Sequence, residues 1–154
     1  MFSGNPAYSS SGFRISSGIC ASENLQAHSD DYFHAKSREQ IAVFSANRSC
    51  DVETPTGNNA PAVSAGPDYT IPMQTPFTLV GSATDPDGDT LSYAWEEYDL
   101  GTASPPNTDN GTRPIFRSFD PVPDPARTFP RLSNILAGTS TLGESLPATT
   151  RSLQ

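Results

Sequence analysis

The sequence predicts a mainly β fold. It reads as an incomplete immunoglobulin-like sandwich preceded by a small helix-containing segment, with much irregular structure. Three observations carry this. Apolar residues alternate with period two through 76–84 and again through 91–98. The chain's single tryptophan, Trp95, falls on the inward face of the second of these runs, the third expected strand of the chain, as in immunoglobulin-like sandwiches. Only one stretch, near residues 38–47, carries helical spacing.

Taken in order, residues 1–17 are rich in Ser and Gly, lack usable periodicity and are expected to be irregular. In "SREQIAVFSANRSC", Ser37 with Gln40 three positions later forms a capping box. Ile41, Phe44 and Val43 follow as an apolar stripe, so the spacing predicts a helix over 38–47 whose stripe needs a larger body to pack against. Residues 51–61, "DVETPTGNNAP", hold no large apolar side chain and form the best domain boundary. Beyond it, "VSAGPDYTI" is a weak strand broken at Gly66-Pro67. "PFTLVGSAT" is a strand with Phe77, Leu79 and Ala83 on one face. "LSYAWEEY" is a strand with Leu91, Tyr93 and Trp95 on one face. Residues 101–131 are dense in proline and lose the strand signal, which marks either a functional insertion or an incomplete sequence. "LSNILAG" predicts one helical turn closed by Gly138, and "LPATTRSLQ" reads as the opening of a further strand. A sandwich lacking strands would leave an open sheet edge, a hazard for self-association.

Composition narrows the function classes. In 154 residues there are 9 basic and 17 acidic side chains, a formal charge of −8, with 15 prolines and 11 glycines. Such a chain repels phosphate backbones and anionic membranes, and no basic patch interleaves with aromatics, so nucleic acid is excluded as a partner. No apolar run reaches the roughly 18 residues of a membrane helix. The first twenty residues have neither the cationic start nor the apolar core of a secretory leader.

Two cysteines, Cys20 and Cys50, lack the CxxC or histidine spacing of a metal site. They are either buried free thiols or a disulfide, and the Ser/Thr/Asn-rich, lysine-poor composition of exported proteins favours the disulfide. Closing that loop would stabilise the fold by roughly 3–4 kcal/mol in the chain-entropy picture.

Asp85, Asp87 and Asp89 in "DPDGDT" have the alternate spacing of a calcium loop. An EF-hand is excluded, because glycine falls at the fourth position rather than the sixth and the second half of the loop would be the alternating strand 91–96. Pro86 and Asp87-Gly88 supply turn chemistry, so the favoured reading is a tight hairpin connection between two strands. Weak calcium binding by the three carboxylates is the lesser reading, since a cation would relieve their repulsion.

No other string forms an active site. His28 and His34 are not in HExxH, too few histidines exist for a three-histidine zinc site, and GxSxG, GxxxxGK[ST] and GxGxxG are absent. Asp30 and Asp31 fit a cap or surface role better than paired catalysis, His28 fits a loop residue, and His34 fits structural packing or hydrogen bonding. Asn47-Arg48-Ser49 and Asn110-Gly111-Thr112 match the N-glycosylation pattern, which is common by chance.

One resemblance joins these parts. "GICASENLQAHSDDYFHAKSREQI" followed by "SC" resembles the stretch after the Met-turn in bacterial reprolysin-like (adamalysin-type) zinc metalloproteases of the metzincin group. "APAVSAGPDYTIPMQTPFTLVGSATDPDGDTLSYAWEEYD" resembles the polycystic-kidney-disease-like (PKD-like) or Ig-like module behind such catalytic domains, and "PIFRSF" and "RTFPRLSNIL" resemble an insertion in it. The resemblance implies that residues 1–50 end a catalytic domain, that 51–61 link, and that 62–154 form a module incomplete at its C-terminal end. It implies a secreted or cell-surface bacterial protein whose zinc-activated water attacks protein substrates. The departures are equally specific. The HExxHxxGxxH ligand set is not in these residues, and Arg14 in "GFRISS" stands where the methionine of the turn belongs. The resemblance therefore implies an internal fragment without peptidase activity, for which a missing leader says little. The alternative is a non-catalytic adhesion or carbohydrate-binding module, with Tyr98 as the only aromatic left for a sugar platform.

Overall fold

In the computed structural model, residues 32–49, 54–102 and 105–154 are described. The elements are α1 (Ala35–Ala46), β1 (Ala62–Ser64), β2 (Phe77–Val80), β3 (Ser82–Thr84), β4 (Ala126–Phe129) and α2 (Leu132–Ala137). Two short antiparallel pairs carry the β structure. β1 runs against β3 with Val63 opposite Ala83, and β2 runs against β4 with Phe77 opposite Phe129 and Val80 opposite Ala126. No closed barrel forms among the described residues.

The period-two reading of 77–84 holds. Phe77, Leu79 and Ala83 are half-buried while Thr78, Val80, Ser82 and Thr84 face solvent. This one segment serves both pairs, and Gly81 is where it changes partner. A Cβ at Gly81 would come within 3.2 Å of the Ser64 carbonyl oxygen and of the Trp95 ring, so glycine suits this close approach. The Pro125 carbonyl oxygen accepts two hydrogen bonds there, from the Gly81 N–H at 3.2 Å and from the Trp95 indole N–H at 3.0 Å.

Three expected features do not form. The aspartate stretch does not join β3 to a hairpin partner at 91–96, because β3 pairs with β1. The run 91–98 alternates in burial only through Trp95, after which Glu96 and Glu97 are both buried, and it forms only a single bridge, Tyr93 with Val122. Pro121 and Pro123 flank Val122, and their rings lock φ near −65°, short of the roughly −140° of an antiparallel ladder. Residues 146–154, expected to open a strand, carry no strand.

The core comes from the proline-dense region. Among the described residues Ile115, Phe116 and Phe129 are the buried apolar ones, packed against Phe77, Leu79, Trp95, Leu146 and Leu153. Phe77 stacks on Phe129 at 5.0 Å between centroids, and Phe116 meets both rings edge-on at 5.7 and 5.1 Å. Offset and edge-on pairs of this kind contribute roughly 0.5–1.5 kcal/mol beyond their burial. The segments that resemble an insertion thus supply the centre of the packing.

Helix α1 begins three residues before its expected start. Its N-cap is His34, without a side-chain cap bond, and Ser37 lies inside the first turn, so the capping box does not form. The first N–H is satisfied from elsewhere: Ala35 N–H donates to Glu96 Oε2 at 2.6 Å. An acidic group at that end also suits the helix dipole. At the other end Asn47 donates from Nδ2 to the Val43 carbonyl at 2.7 Å. Ile41, Val43 and Phe44 are 50%, 59% and 61% exposed, so the stripe faces outward. Helix α2 forms as expected, closed by Gly138 at φ 63°.

Candidate functional site

Adjacent residues in an extended chain point to opposite sides, and "WEEYD" puts two acids at the heart of the molecule by this rule. Glu96 and Glu97 are 6% and 1% exposed. Buried carboxyl groups need partners, and each has its own set.

Glu96 faces helix α1. Its Oε2 takes the Ala35 N–H, and its Oε1 lies 3.0 Å from His34 Nδ1. Ser118 Oγ lies 3.2 Å from the same Nδ1, and Tyr32 meets the imidazole edge-on at 5.4 Å. The residue types match a Ser-His-Glu relay, but the geometry does not. A relay needs the acid on one ring nitrogen and the hydroxyl on the other; here both share Nδ1. The group is a buried structural cluster, the role expected of His34.

Glu97 faces the C-terminal residues. Its Oε2 accepts the N–H groups of Ile115 and Phe116 at 2.7 and 2.8 Å. Arg151, whose side chain is 1% exposed, reaches Glu97 Oε1 at 3.2 Å, Asp99 Oδ2 at 2.9 Å and Asp109 Oδ1 at 2.9 Å. One guanidinium therefore meets three carboxyl groups. Burial pushes the Glu97 carboxyl up to about 9, helped by its hydrogen bond to Asp99 and opposed by the two backbone donors. Arg151 spends its two shorter bonds on Asp99 and Asp109, which leaves the upward direction standing. Asp109 moves the other way. Burial alone would raise it, but the N–H groups of Gly111 and Ala148 and the charge of Arg151 hold it below the usual carboxylate range.

A third cluster joins Arg127 to Glu144 at 2.8 Å, with the Trp95 and Arg117 carbonyl oxygens accepting from Arg127 at 2.7 and 2.6 Å. Glu144 also accepts the Arg131 N–H at 3.0 Å. None of these acids was singled out for such a role by sequence pattern. The only available signal was the unbroken polar pair Glu96-Glu97 inside an otherwise apolar run.

The residues singled out by sequence lie elsewhere. Asp85 Oδ1 accepts the N–H groups of Asp87 and Asp89 at 2.8 and 3.3 Å, and the Gly88 N–H bonds the Asp85 carbonyl at 3.3 Å. This is an Asx-turn over a β-turn. Asp87 accepts from Asn59 N–H at 2.6 Å and Asn59 Nδ2 at 3.0 Å, which lowers its carboxyl from the ordinary value. Two of the three aspartates are thus committed to N–H donors. Among the described residues no group of three or more His, Cys, Asp or Glu is placed to hold a metal ion. Tyr98 donates its hydroxyl to Glu39 on α1 and receives Lys36 Nζ at 3.4 Å, so its polar edge is engaged within the chain. Asn110 Oδ1 accepts from the Thr112 N–H and hydroxyl at 3.1 and 3.2 Å, another local turn. Cys20 and Cys50, together with His28, Asp30, Asp31 and residues 1–17, lie outside the described residues.

A groove of about 440 Å³ runs along the outer face of α1, lined by Lys36, Glu39, Gln40, Val43, Phe44, Asn47 and Arg48. Of its charged members, Lys36 and Glu39 pair with each other at 2.6 Å, and Arg48 lies over the Phe44 ring at 4.4 Å. Among the described residues no helix is long and apolar enough to cross a membrane. Comparison with protein-family models, curated proteins and solved structures finds no match to this chain.

Proposed function

We propose that the chain is part of a secreted bacterial zinc metalloprotease of the reprolysin-like metzincin group, spanning the end of its catalytic domain and an incomplete PKD-like, Ig-like module of sandwich type. Its role in that reading is structural: residues up to 50 close the catalytic domain, and the remainder is an accessory module. The parent would cleave protein substrates with zinc-activated water, and this segment would act by holding the tail of the catalytic domain in place.

The observation that supports the reading is the junction at Glu96. The "SDDYFH" string, part of the protease-like stretch, ends on a buried imidazole 3.0 Å from Glu96 of the module-like stretch. Two stretches that resemble consecutive parts of one family are packed together by buried polar bonds rather than hung on a free linker.

The residues present do not fit the zinc of that group. HExxH is not among them, and His34 is committed to Glu96 and Ser118. No catalytic step is assigned to this chain. Incubating the purified chain with casein and zinc should give no cleavage above the background seen with chelator. Zinc-dependent turnover that co-purifies with the chain would overturn the assignment.

A further inference from the structure

We propose that residues 146–154 form a proton-dependent strap, latched when Glu97 carries a proton and released when it does not. The segment has no secondary structure, and side chains and backbone groups of other segments hold it. The Gln74 side-chain amide donates to the Leu146 and Pro147 carbonyl oxygens at 3.2 and 2.7 Å. Asp109 accepts the Ala148 N–H at 2.8 Å, and the Tyr98 N–H donates to the Gln154 carbonyl. Leu146 and Leu153 pack on the core.

Arg151 is the centre of the latch. The charged and titratable groups around it are Glu97 and Asp99 from the segment after Trp95 and Asp109 from the loop at 105–112. With all three acids ionised, one buried guanidinium leaves two negative charges uncompensated, and like charges in a dry site repel strongly. A proton on Glu97 removes one of them while its Oε2 still accepts the Ile115 and Phe116 N–H groups. Glu97 is the member best suited to hold that proton, being fully buried and beside Asp99, whereas Asp109 is fully engaged as an anion.

The sign follows from linkage. The closed strap holds a proton that the open strap releases, so rising pH favours opening until the closed form itself ionises near 9. Trypsin reads the opening directly in the full chain. Cleavage after Arg151 requires the strap to leave its site, and cleavage after exposed Arg48 corrects for the protease's own pH dependence. The Arg151-to-Arg48 rate ratio should rise by up to roughly tenfold per pH unit between pH 7 and 9 and then level off. Glu97→Gln keeps the neutral shape and should give a flat ratio. Asp99→Asn removes the neighbouring like charge, so its rise should level off at lower pH, and this variant decides the matter if Glu97→Gln does not fold. A pH-independent ratio in the unaltered chain, a Glu97→Gln profile matching it, or an unshifted Asp99→Asn profile would overturn the strap.

Discussion

At the scale of single residues, two adjacent glutamates set the behaviour of the molecule. Removing the Glu96 side chain strands the Ala35 N–H and one face of buried His34. Glu96→Ala should therefore lower stability by roughly 1–3 kcal/mol, read as a fall in urea midpoint, with early loss of the helical circular-dichroism signal from α1. An unchanged midpoint would mean that Glu96 is not the cap. Glu97 and Asp109 give the global pH profile two limbs. Glu97 is raised in the fold, so its contribution is complete below its ordinary value of 4.5 and declines as pH climbs toward about 9. Asp109 is lowered, so its contribution is complete above 3.8 and is lost as pH falls through its folded value. Urea midpoints across pH should peak in the mildly acidic range. Glu97→Gln should erase the alkaline decline alone, and a maximum near pH 8 would contradict this assignment.

At the scale of elements, the chain's small core rests on rings from segments far apart in sequence. Phe129→Ala removes the ring stacked on Phe77 and met edge-on by Phe116, and should cost roughly 3–5 kcal/mol. Val63→Ala on exposed β1 should stay within about 0.5 kcal/mol. Equal midpoints for the two variants would place the core elsewhere. What was legible in the sequence was whatever depends on near neighbours. The alternation in 77–84 marks β2 and β3 because one face packs and the other is wet. Gly138 marks the end of α2 because only a left-handed residue closes that turn. Asp85 marks its turn because its bonds reach only two and four residues ahead. What depends on distant partners was not legible. The start of α1 is set by Glu96, 61 residues away, not by Ser37. The core rings Phe116 and Phe129 sit between prolines, where neither helical nor strand periodicity can develop. The apparent hairpin at the aspartates failed because β3 finds β1 instead.

At the scale of the whole molecule, the described parts are joined by three clusters of buried acids, around Glu96, Glu97 and Glu144. The buried acids are answered by backbone N–H groups and arginines, and the groove on α1 carries a self-neutralised ion pair. The Asx-turn geometry at Asp85 predicts that isothermal calorimetry with millimolar calcium gives no binding heat. Saturable heat lost in Asp87→Asn would restore a metal role. On the proposed reading, a zinc protease domain precedes this segment in its parent. The coding sequence immediately upstream tests it most directly. The same reading frame should continue upstream through HExxHxxGxxH and a methionine turn shortly before Gly18. A frame that closes without that motif would contradict it.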